Sequence, residues 1–80
     1  MKVLLFARIR DQLGQASVEV TEGLTIAELR QVLQQQFPEQ ASLFDSGYAL
    51  IAVNQALASE ETQVLQVQDE VAVLPPMTGG

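Results

Sequence analysis

Residues 2–8 alternate in side-chain direction, with Val3, Leu5 and Ala7 on one side and Lys2, Leu4, Phe6 and Arg8 on the other. That two-residue period predicts a strand. Apolar residues sit on both of its sides, whereas a strand with one wet face alternates cleanly. Ile9 to Leu13 suits a helical turn that Gly14 closes, because glycine accepts a left-handed backbone. Ser17-Val18-Glu19-Val20 resumes the alternation, valines inward, and is expected to pair with the first strand as a hairpin with a long connection.

The period then changes to that of a helix. Ile26, Leu29, Leu33 and Phe37 fall on one stripe, widened by Val32, while Gln31, Gln34 and Gln35 fall largely on the opposite side. Thr25 and Glu28 stand at capping-box spacing, and Leu24 with Leu29 at hydrophobic-staple spacing. Pro38 stops or re-aims the chain. Leu43 and Phe44 suit a short turn before Asp45-Ser46-Gly47. Tyr48 to Val53 predicts a buried strand, with Leu50 and Ala52 alternating against Ala49, Ile51 and Val53. Asn54-Gln55 reads as a turn and Ala56-Leu57 as a short return. For Thr62 to Gln68 both strand and turn are open. Glu70 to Leu74 predicts a final strand, ended by Pro75-Pro76, neither of which can donate to a ladder.

Hairpin, helix, then further strands is the order of a two-layer α+β fold with one main helix across a mixed sheet. The expected division is a folded unit over residues 1–76 and a flexible tail over 77–80. Eighty residues make one thin core, with about 60% of the unfolded surface buried.

Composition removes much chemistry. The chain has no cysteine and no histidine, so thiolate nucleophiles, iron–sulfur clusters and imidazole bases are absent, and a zinc site would have to be all carboxylate. Four basic residues against ten acidic ones give a net charge of −6, the wrong sign for a nucleic-acid footprint. No apolar run is long enough to suggest a membrane span, and the basic residues after Phe6 do not suit a secretory signal, so a cytoplasmic protein is expected. Ser17, Ser42, Ser46 and Ser59 have no histidine to activate them. Glu60-Glu61 and Asp69-Glu70 are sequence neighbours, which do not face each other as an acid–base dyad would.

What remains is Pro75-Pro76-Met77-Thr78-Gly79-Gly80. Two prolines favour a stiff exit from the last strand, and two glycines place a carboxylate behind no side chain. Such an arm can thread a narrow channel; the plain alternative is a frayed terminus.

With these blocks the chain resembles the MoaD-like small subunits of molybdopterin synthase, ubiquitin-like β-grasp sulfur carriers. The likeness runs from Val3-Leu4-Leu5-Phe6-Ala7-Arg8-Ile9-Arg10 through the capped helix and Ala52-Val53-Asn54-Gln55 to the segment from Asp69 to Gly80. The resemblance implies that an E1-like enzyme uses ATP to adenylate Gly80, and that a sulfur-donor protein then makes it a thiocarboxylate. It implies no permanently bound cofactor. Gly79, Thr78 and Met77 would thread into the large subunit, where sulfur passes to cyclic pyranopterin monophosphate in a heterotetramer. The expected partner surface is Phe6, Arg10, Leu4, Leu74, Pro75 and Pro76. Relatives often have an aromatic residue in place of Leu74 and a glycine before Asp69, where this chain has Gln68. A sulfur carrier for another acceptor, such as that of thiamin thiazole formation, and a ubiquitin-like protein modifier are the alternative readings.

Overall fold

The computed structural model describes residues 1–76. Strand β1 (Lys2–Leu5) buries Val3 and Leu5, and antiparallel β2 (Ser17–Glu19) buries Val18, as alternation demands. The first strand is shorter than its pattern suggests. Phe6 still donates its N–H to the Val73 carbonyl at 3.2 Å, but Ala7 turns to φ +53° and opens helix α1 (Ala7–Leu13). Ala7 therefore does not join the inner face, and it is exposed. Gly14, at φ +71°, ends α1 as its sequence position suggests.

Helix α2 (Ile26–Gln36) has the full capping box: the Thr25 hydroxyl accepts from Glu28 N at 3.1 Å, and Thr25 N donates to the Glu28 carboxylate at 2.9 Å. Two further first-turn donors, Ile26 N and Ala27 N, reach the carbonyls of Gln63 and Glu61, each at 3.0 Å. The ambiguous 62–68 stretch is thus mostly a strap across the helix start, with one bridge (Thr25 to Val64) and Leu65 fully buried. A 3-10 helix, Pro38–Phe44, follows α2 and buries Phe44 beside Phe37, ring centroids 6.2 Å apart.

Strand β3 (Leu50–Val53) starts two residues later than its apolar run. Tyr48 N and Ala49 N both donate to the Asp45 carbonyl at 2.9 Å, which holds them in a turn. Asn54 and Gln55, at φ +53° and +69°, make the two-residue loop to β4 (Ala56–Leu57), the geometry of a type I′ hairpin. Strand β5 (Val71–Leu74) then enters the middle of the sheet, whose order is β2-β1-β5-β3-β4. It lies parallel to β1 (Val3 with Val71, Leu5 with Val73) and antiparallel to β3 (Ile51 with Val73). One mixed sheet with one main helix across it is the β-grasp arrangement.

Ile26, Leu29 and Leu33 of α2, none exposed, belong to one core with Val3, Leu5, Val18, Ile51, Val53, Val71 and Val73. Polar Arg30 is buried among them at 8% exposure. Its guanidinium donates to the Glu61 carboxylate at 2.7 and 3.0 Å and to the carbonyls of Phe44, Asp45 and Ala49 at 3.1, 3.2 and 2.9 Å. A buried cation is tolerable only when paired and hydrogen-bonded in this way. Among the described residues no helix is long and apolar enough to cross a membrane.

Candidate functional site: the outer sheet face and the root of the carboxyl arm

The inward positions of β1, β2, β3 and β5 share one core with α2, so their outward positions define the opposite face. Register makes them neighbours. Leu4 pairs with Ala72, Ala72 with Ala52, and Ala52 with Leu57, giving an apolar row across four strands. The next row holds Leu74 opposite Leu50, and Phe6 follows at the same end through its bond to Val73. Phe6 is 39% exposed and Leu57 54%; Leu4, Leu50, Ala52, Ala72 and Leu74 are half-buried. The two-sided apolarity of the first strand is therefore one side core and one side surface.

The structure thus places Leu4, Phe6 and Leu74 together, with Pro75 and Pro76 half-buried just beyond. Arg10 lies on exposed α1, with its guanidinium 3.6 Å from Asp11. Met77, Thr78, Gly79 and Gly80 lie outside the described residues. Sequence reasoning missed Leu50, Ala52 and Leu57 as members of this face. The signal for the first two was present in the Leu50–Val53 alternation, but only the β3–β5 pairing shows which surface they join.

Chain direction fixes where the arm leaves. Strand β1 runs parallel to β5, so Phe6 and α1 begin at the end where β5 gives way to Pro75. Strand β3 is antiparallel, so Asp45–Ala49 arrive at that same end. Between α1 and the 3-10 helix is a cleft of about 400 Å3 lined by Arg8, Ser42, Leu43, Asp45, Gly47 and Tyr48.

At the opposite end, Asn54 locks two turns together. Its amide donates to the Asp69 carboxylate at 3.0 Å, its side-chain oxygen accepts from Glu70 N at 2.9 Å, and its own N–H reaches the Glu70 carbonyl at 2.7 Å. The second Asp69 oxygen accepts from Gln66 N at 2.8 Å. The Gln66 backbone bond first, and the Asn54 amide second, hold the Asp69 carboxyl below its usual value. Gln68 is not among the residues of positive φ, and Asp69 N bonds the Gln66 carbonyl at 3.0 Å. The turn takes a shape that needs no glycine. Among the described residues no group of acidic side chains is placed to hold a metal ion.

A mixed five-stranded sheet with β5 at its centre and one main helix across it is the ubiquitin-like, β-grasp class of fold. The ThiS family model matches residues 3–80, and the chain belongs to that family. It is 41% identical over 81 residues to the molybdopterin synthase sulfur carrier subunit of Escherichia coli, covering 100% of this chain and 99% of that protein. Identity to the same-named subunit of Haemophilus influenzae is 35% over 81 residues, with 100% and 99% covered. The fold also matches a chain in a complex of subunits 1 and 2 of the molybdopterin-converting factor from Helicobacter pylori. There the TM-score is 0.68 and identity 25%, over 99% of this chain and 96% of that one.

Proposed function

We propose that this protein is the sulfur-carrier subunit of a molybdopterin synthase, loaded at Gly80 and docked through its outer sheet face. The observation that supports this most directly is the end-to-end similarity to the Escherichia coli carrier subunit. The geometry agrees with it: an apolar face stands beside the root of an arm that ends in Gly79-Gly80.

The chemistry follows from what a carboxylate lacks. It is a poor electrophile, so an ATP-dependent enzyme first attaches AMP to the Gly80 carboxylate and releases pyrophosphate. The outer sulfur of a donor-protein persulfide attacks the acyl carbon and expels AMP, and a thiol then cleaves the sulfur–sulfur bond of the acyl disulfide, which frees the thiocarboxylate and leaves a disulfide. In the large subunit the thiocarboxylate sulfur attacks an oxygen-bearing carbon of cyclic pyranopterin monophosphate; the carbon–sulfur bond forms, the carbon–oxygen bond breaks with its oxygen leaving protonated, and an acyl thioester results. Water adds to the acyl carbon, the acyl–sulfur bond breaks, and sulfur stays on the substrate while the Gly80 carboxylate returns. Two deliveries complete a dithiolene. The carrier supplies cargo and alignment, which is a proximity effect. In this reading proton transfer and substrate binding fall to the partner, in keeping with a chain that has no histidine or cysteine.

Within this reading Phe6, Leu4, Leu74, Leu50 and Leu57 meet the large subunit, Pro75 and Pro76 aim the arm, and Met77, Thr78 and Gly79 line its path. The test is intact-mass analysis of the chain purified with its native partners. Replacement of one terminal oxygen by sulfur is the expected result; an isopeptide-linked ladder of conjugates would instead identify a modifier.

A further inference from the structure

Exposed positive charge in this acidic chain is confined to its first elements. Of four basic side chains Arg30 is buried, which leaves Lys2 on β1 and Arg8 and Arg10 on α1. Arg10 has Asp11 beside it, whereas Arg8 makes no ion pair among the described residues. Arg8 also stands in the first turn of α1, where the helix dipole disfavours a cation. Helix stability therefore does not account for it.

Arg8 lines the cleft at the root of the arm together with the hydroxyl-bearing side chains of Ser42 and Tyr48. Neither hydroxyl takes part in a side-chain hydrogen bond among the described residues, so each is available as a donor. The carboxylate in the same cleft, Asp45, is turned to Gln34, whose amide donates to it at 2.7 Å. Asp45 still adds a negative charge nearby, as does the net charge of −6. That field disfavours a multiply charged phosphate and leaves room for a single carboxylate, which a guanidinium grips in bidentate fashion. The cleft lies at the same end of the sheet as Phe6, Leu74 and Leu50, with Arg8 two residues after Phe6 and Tyr48 two before Leu50, the place of a charged rim around an apolar interface centre.

We propose that Arg8, with the hydroxyls of Ser42 and Tyr48, receives a carboxylate side chain from the protein that accepts the carboxyl arm. The inference rests on the carrier reading. A rim pair of this kind orients the carrier as the arm enters and speeds encounter more than it strengthens the finished complex.

The experiment is calorimetric and stopped-flow binding of the full chain to the large subunit from the same source, at low and physiological salt, for wild type, Arg8→Glu, Arg8→Gln and Tyr48→Phe. Arg8→Glu is expected to weaken binding about tenfold or more at low salt, chiefly in the association rate, with the gap narrowing as salt screens it. Arg8→Gln and Tyr48→Phe lose less, and thermal midpoints stay near wild type. An acidic-to-lysine change on the large subunit that restores Arg8→Glu binding identifies the pair. Wild-type affinity for Arg8→Glu overturns the inference while leaving the carrier reading intact; failure of the wild-type chain to bind overturns both. Repeating the series with Gly79-Gly80 deleted tests another occupant. An Arg8 effect that disappears there assigns Arg8 to the chain's own terminal carboxylate and overturns the proposal.

Discussion

Arg30 and Glu61, thirty-one residues apart in sequence, meet in a two-point pair at 2.7 and 3.0 Å, and the two partners are not equivalent. The Arg30 side chain is 10% exposed and that of Glu61 46%. Removing Arg30 strips the carbonyls of Phe44, Asp45 and Ala49 of their donor as well. Arg30→Met is therefore expected to cost about 3 kcal/mol or more, on the order of 12 °C or more in Tm for a domain this small. Glu61→Gln is expected to cost less than Arg30→Met, because the amide oxygen still accepts from the guanidinium, the three carbonyls still hold it and the lost charge sat at a half-exposed site. Thermal denaturation of both variants checks the asymmetry.

Asp69 gives the fold a predictable acid limb. Its folded-state carboxyl is lowered by the Gln66 and Asn54 bonds, so the folded state favours the ionised form. Its stabilisation is complete above the unfolded value, near 3.8, and is lost as pH falls through the lower folded value. Asp69→Asn should be less stable than wild type at neutral pH, with the difference shrinking in that acid window. Urea midpoints at several pH values measure it; a difference that does not change with pH contradicts the assignment.

The β3–β4 hairpin has a non-glycine residue in a conformation that suits glycine. Gln55 sits at φ +69° in the second loop position after Asn54, where type I′ turns prefer Asn-Gly. Gln55→Gly is expected to raise stability by about 1 kcal/mol, since relief of left-handed strain outweighs the added freedom of the unfolded chain. Ala7 at φ +53° is the converse site. A β-branched Ala7→Val should destabilise by about 1 kcal/mol or more. Chemical denaturation distinguishes the two signs.

The outer face predicts a separation of folding from docking. Phe6 and Leu57 are 39% and 54% exposed, so Phe6→Asp and Leu57→Asp should change Tm by only a few degrees. In the carrier reading each weakens large-subunit affinity about tenfold or more, as loss of an apolar anchor does. Unchanged affinity would move the interface elsewhere.

Much of this was legible because single residues had one good place to go. Thr25 with Glu28 fixed the start of α2, Gly14 the end of α1, and the alternation of Ile51 and Val53 the buried side of β3. Other features depended on partners distant in sequence. Arg30 falls on the helix stripe between Leu29 and Leu33, and only Glu61 and the loop carbonyls make burial there tolerable. Strand pattern continued through Phe6 to Arg8, yet the bond from Phe6 to Val73 and the turn at Ala7 stop the strand earlier. Leu50 and Leu57 join the outer apolar face through sheet order, which no local period encodes. Gln68 needed no left-handed turn because the Asp69 side chain organises that loop from the other side.

The central position of β5 has a consequence for when the carrier becomes usable. Val3 pairs with Val71, so the sheet has no middle until the segment through Leu74 has been synthesised and has slotted between two earlier hairpins. Contacts that span nearly the whole chain form late. The piece fitted last is also the piece from which the carboxyl arm extends. In the carrier reading, a partner that grips the outer face and the arm together would meet both only on a folded chain, because without β5 in place Ala72 and Leu74 do not stand beside Leu4 and Leu50.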